Sequence, residues 1–99
     1  MAETKTLSGQ GELWEGETKV RHVLFEIRYR KVTVEELEKG DKAWTRGQFT
    51  DLGGATEFHD LTGPGRVFTL RFGSGGLWRC WVEHDGEVNS AGDLVLPPE

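Results

Sequence analysis

The sequence predicts a mostly-β domain: a small antiparallel β-barrel or β-sandwich of about six to eight short strands, with one short helix near residues 34–39. Three observations lead there. Apolar residues alternate with the period-two rhythm of a strand, not the 3.6-residue rhythm of a helix. Fourteen glycines punctuate the chain at short intervals. No pair of strand-like segments is separated by a helix long enough for a parallel crossover.

Taken in order, residues 7–14 set Leu7, Gly9, Gly11 and Leu13 on one face and Ser8, Gln10, Glu12 and Trp14 on the other. Two glycines inside a strand point to a bulge or to close approach of another group. Glu15-Gly16-Glu17 reads as a turn. Residues 19–32 carry the clearest alternation, Val23, Phe25, Ile27 and Tyr29 against His22, Leu24, Glu26, Arg28 and Arg30. The Val23 face is assigned to the core. Thr33 followed by Glu36 fits a capping box, and Gly40 fits the position after a helix, which favours a short helix over a continued strand.

Trp44 and Phe49 are five apart, so alternation separates them unless Gly47 sits in a bulge. After a Gly53-Gly54 turn, residues 55–61 alternate again and are read as a strand. Gly63-Pro64-Gly65 is a turn. A hairpin follows. Phe68, Leu70 and Phe72 share one face of its first arm; Trp78, Cys80 and Val82 share one face of its second, with Leu77, Arg79, Trp81 and Glu83 opposite. Asp85-Gly86 is a type I′ turn candidate. A last segment runs through Val88, Leu94, Val95 and Leu96. The expected organisation is one domain over residues 1–99, with residues 1–5 and 97–99 as frayed ends.

A chain of 99 residues buries roughly two-thirds of its unfolded surface, enough for one core. Four Trp and five Phe supply large apolar surfaces to that core. Net charge is −5, which argues against nucleic acid as a main partner. The lone Cys80 closes no intrachain disulfide and builds no cysteine-based zinc site. The polar N-terminal residues lack the apolar core of an export leader, and no apolar run approaches the roughly 18–20 residues of a membrane span. A cytoplasmic domain without membrane attachment is the expectation.

No segment carries a catalytic signature, so no catalytic residue, metal or cofactor is expected. His22, His59 and His84 lie on different segments without a chelating spacing, although folding could assemble His59 and His84 with Glu83. Cys80 shares a face with Trp78 and Val82 and is assigned to an inert core. Gly73-Ser74-Gly75-Gly76 lacks the lysine and helix of a phosphate-binding loop.

The tryptophans make the best case for binding. Trp78 and Trp81 point to opposite faces, and Trp81 with Arg79 and Arg71 has the composition of an interface hot spot. The leading expectation is a non-enzymatic domain that binds another protein, or a copy of itself, through that face. The alternatives are a small-molecule-binding barrel whose interior offers Tyr29, Glu26 and His22 and, ranked below it, a small enzyme using Glu26, His59 or His84.

Overall fold

The computed structural model describes residues 4–54 and 57–97. It consists of β1 (Thr4–Glu15), β2 (Thr18–Arg30), helix α1 (Val34–Glu38), β3 (Trp44–Asp51), β4 (Phe68–Phe72), β5 (Gly76–Val82) and β6 (Glu87–Val95). The six strands form a closed antiparallel barrel in the order β1-β2-β3-β6-β5-β4. Two meanders, β1-β2-β3 and β4-β5-β6, are thus joined along β3–β6 and β4–β1.

Alternation fills the interior. Val23, Phe25, Ile27 and Tyr29 of β2, Phe68, Leu70 and Phe72 of β4, and Trp78, Cys80 and Val82 of β5 are all buried, with Leu13, Phe49 and Val88 between them. The interior is therefore packed with side chains. Trp78 donates from Nε1 to Ser90 Oγ at 3.3 Å, giving its one polar atom a partner.

Gly47 is not in a bulge. It pairs in continuous register with Ile27. A Cβ there would lie 3.0 Å from the Trp78 ring. The glycine makes room for the indole, and Trp44 and Phe49 remain on opposite faces.

The β2–β3 connection contains the expected helix. Its capping box is complete: Thr33 Oγ1 accepts from Glu36 N at 3.2 Å, and Thr33 N donates to Glu36 Oε1 at 3.1 Å. The helix buries none of its residues, so the cap and not packing defines it.

Several expectations are corrected. Of the segment expected as a strand over 55–61, residues 55 and 56 lie outside the described residues, and His59–Leu61 is a single 3-10 turn. Phe58 and Leu61 are both buried, and a turn lets this i, i+3 pair plug the barrel end where a strand would part them. The 83–87 loop is not type I′, because no residue other than glycine has positive φ. Glu83 O instead accepts from Gly86 N at 3.0 Å, and Gly86 has φ 86°. This is a type I turn closed by a glycine bulge. Thr4 and Lys5 are not frayed; they pair with Arg30 and Tyr29. The last segment is a full barrel strand, bonded to β5 and β3.

The 52–67 crossover is tied down by charge as well as by Phe58. Arg66 donates to both oxygens of Glu15, at 3.0 and 2.8 Å, and to Asp60 O at 2.7 Å. Arg21 reaches Asp60 Oδ2 at 2.8 Å. The hydrogen bonds from Arg66 hold the Glu15 carboxyl below its ordinary value of 4.5. A depressed folded pKa contributes stability above the ordinary value, and that contribution disappears as pH falls through the folded pKa. Both groups are near the surface, so the contribution is modest. Glu15→Gln is expected to flatten the acid limb of stability as pH falls below the ordinary carboxyl value of 4.5. Urea midpoints above and below that value check it, and an unchanged acid limb would contradict it.

Candidate functional site

The outer wall of β4, β5 and β6 carries the main group of candidate residues. Because Trp78, Cys80 and Val82 point inward, Leu77, Arg79 and Trp81 must point outward. All three are exposed; Trp81 keeps 47% of its surface and Leu77 39%. Pairing extends the surface to the neighbouring strands. Leu77 lies opposite Arg71 on β4 and opposite Val95 on β6. Val95 keeps 49% of its surface. Thr69, Leu77, Arg79, Gly92 and Val95 line a shallow open cleft of about 470 Å³.

The aliphatic stem of Arg79 runs across Gly92, where a Cβ would lie 3.3 Å from Arg79 Cβ. Gly92 therefore lets the arginine lie flat along the wall. Among the described residues, neither Arg79 nor Arg71 forms an ion pair. Arg71 instead stacks its guanidinium 4.4 Å from the ring centre of Trp14. That contact joins β1 to the wall and leaves the charge facing solvent.

Trp81 borders a second cleft of about 330 Å³, formed with Thr62–Arg66 and Glu83. The Gly63-Pro64-Gly65 segment, read from sequence only as a turn, is one side of that cleft. The wall thus has an apolar centre at Leu77 and Val95, a cation at Arg79, and an aromatic edge at Trp81.

Of the remaining sequence candidates, His22 shares an open cleft of about 410 Å³ with Arg71 and Leu77, whereas Tyr29 and Glu26 lie outside that cleft. Tyr29 is buried and faces the barrel interior, near its mouth. His22 and Glu26 are exposed and face outward, on the strand face opposite Tyr29. The interior set proposed from sequence is therefore divided by the barrel wall. The physical reason is alternation itself: even-numbered positions of β2 cannot share the face of Tyr29. Glu26 makes one long contact, 4.0 Å to Arg28 Nε, between two exposed side chains. His22 lies opposite Glu12.

His59 and His84 do meet, with ring centres 5.7 Å apart and planes at 19°. Among the described residues, no group of three or more His, Cys, Asp and Glu side chains is placed to share a metal ion. Cys80 is buried, and burial pushes its thiol up to about 12. The thiolate is the reactive form. Thiol reagents at neutral pH are thus expected to leave Cys80 untouched in the folded protein and to modify it on unfolding. Rapid labelling of the native protein would contradict that expectation.

Val95, Thr69 and Gly92 were missed by sequence reasoning. Val95 was read as part of a trailing segment, and only the pairing of β6 with β5 brings it beside Leu77. The partnership of Trp14 with Arg71 likewise depends on barrel closure through β1 and β4. Compared with protein-family models, curated proteins and solved structures, the chain matches none of them.

Proposed function

We propose that this domain is a non-catalytic binding module whose outer wall, centred on Leu77, Arg79 and Val95 and edged by Trp81, docks an acidic, apolar segment of a partner protein. The observation that carries the reading is an apolar pair, Leu77 and Val95, left half in water beside an arginine without an ion pair among the described residues. Single exposed apolar residues are ordinary, but contiguous ones mark interaction surfaces. Tryptophan and arginine are the residues that most often dominate such interfaces. The chain as a whole is acidic, so a cationic spot on it favours an acidic partner by local contact, and salt should weaken the complex.

Site-specific photo-cross-linking in the cells of origin tests this. A photoreactive residue at Leu77 is expected to capture one discrete polypeptide at an Asp- or Glu-rich segment. The same probe at Leu24, exposed on the β2 outer wall, is expected not to capture it. Equal capture from both positions, or none from Leu77, would count against the proposal. A discrete small molecule retained at the wall in place of a polypeptide would shift the reading to ligand binding.

A further inference from the structure

The first half of β1 has one open edge. β1 pairs with β2 along its whole length, from Thr4 to Glu15. It pairs with β4 only from Gly11 to Trp14. β4 ends at Phe72, opposite Gly11, where the chain turns away. Among the described residues, nothing is bonded to the outer edge of Thr4–Gln10. Open strand edges are templates for pairing with another strand.

We propose that this edge pairs with the same edge of a second copy, in one antiparallel register centred on Leu7. The proposal is independent of the Trp81 wall. Leu7 is the midpoint of the free stretch. A two-fold axis there sets Leu7 against the partner's Leu7, Lys5 against the partner's Gly9, Thr6 against the partner's Ser8, and Thr4 against the partner's Gln10. The result is a sheet that continues across the two-fold, and the contact closes on itself.

Three features favour this register. Leu7 is half-buried against the core, on the inner face with Ile27 beside it. Pairing would cover its remaining surface with its own copy. Lys5 is the one charged side chain on the free stretch, and here it meets a glycine. The Phe25 ring lies 3.6 Å from where a Cβ on that glycine would be, so the small residue leaves room there for the lysine stem. On the outer face, Thr6 and Ser8 are both exposed and form a hydroxyl pair of the kind that stabilises cross-strand contacts. Centring on Lys5 would set like charges opposite each other, and centring on Thr6 would press Lys5 on Leu7. The edge therefore favours the Leu7-centred register over those centred on Lys5 and Thr6.

Disulfide trapping in the full chain reads the register directly. Directly opposed antiparallel residues have Cα atoms about 4.5–5.5 Å apart, within disulfide reach. Thr6 and its own copy would be about 8 Å apart, beyond reach. An equimolar mixture of Thr6→Cys and Ser8→Cys chains is expected to give a disulfide-linked heterodimer under mild oxidation. Either variant alone is expected to stay unlinked, since the native Cys80 is buried. Sedimentation of the wild-type chain is expected to show a concentration-dependent dimer that Trp81→Ala leaves unchanged. Linking of either single variant, no linking in the mixture, or a wild-type monomer at every concentration would overturn the proposal. A dimer abolished by Trp81→Ala would also overturn it, placing self-association on the wall instead of the edge.

Discussion

Replacing Trp78 with alanine is expected to lower stability by about 3–5 kcal/mol, whereas Trp81→Ala should change it by no more than about 0.5 kcal/mol. The two residues are three apart on one face-alternating strand, yet one is fully buried and the other half in water. Trp78 fills the centre of the barrel over Gly47 and carries the bond to Ser90. Truncation leaves a cavity that the sheet cannot collapse around, because β5, which carries Trp78, is bonded to β4 on one side and β6 on the other. For a domain whose whole stability is roughly 5–15 kcal/mol, that is a large fraction. Urea unfolding of both variants checks the contrast. Comparable losses would mean that Trp81 belongs to the core and that the outer wall is not a free surface.

The second large effect is expected at Gly86. Its φ of 86° is left-handed, and an added Cβ would lie 2.6 Å from Phe49 O and 2.7 Å from Gln48 Nε2. Left-handed backbone costs an L-residue about 1–2 kcal/mol. Overpacking adds about 1–3 kcal/mol. Relief is blocked, because the same loop is locked to β3: Phe49 N donates to Gly86 O at 2.8 Å, and Gln48 Nε2 donates to Asp85 O at 2.9 Å. Gly86→Ala should therefore lose about 2–5 kcal/mol, concentrated at the β3–β6 seam, which is bonded over only three residue pairs. Thermal unfolding and amide exchange at Val88 and Phe49 measure it. A loss below about 1 kcal/mol, within the ordinary range of mild substitutions, would show that the loop can re-form without glycine.

What the sequence made legible was local. Alternation in β2 and β5 placed Val23, Phe25, Ile27, Trp78 and Cys80 inside and Arg79 and Trp81 outside, because side-chain direction in a strand depends only on parity. The Thr33–Glu36 capping box was legible because its partners are three residues apart. Closure was not local. Nothing in the run from Ala55 to Leu61 distinguishes an alternating strand from a plug whose Phe58 and Leu61 turn inward together. Val95 gained meaning only beside Leu77, and Arg71 turned toward Trp14 because β1 and β4 meet in the closed barrel. The split of Tyr29 from His22 and Glu26 was present in the alternation. Once the barrel closed, that alternation left only Tyr29 on the inside.

The central claim is that the wall around Leu77, Arg79, Val95 and Trp81 holds a protein partner. A native mass spectrum of the untagged domain, isolated gently from its own cells, tests it most directly. The expected spectrum shows the chain with an additional polypeptide mass that Trp81→Ala and Arg79→Glu both remove, while each variant stays folded. A spectrum with only the bare chain or its simple multiples, unchanged in both variants, would contradict it.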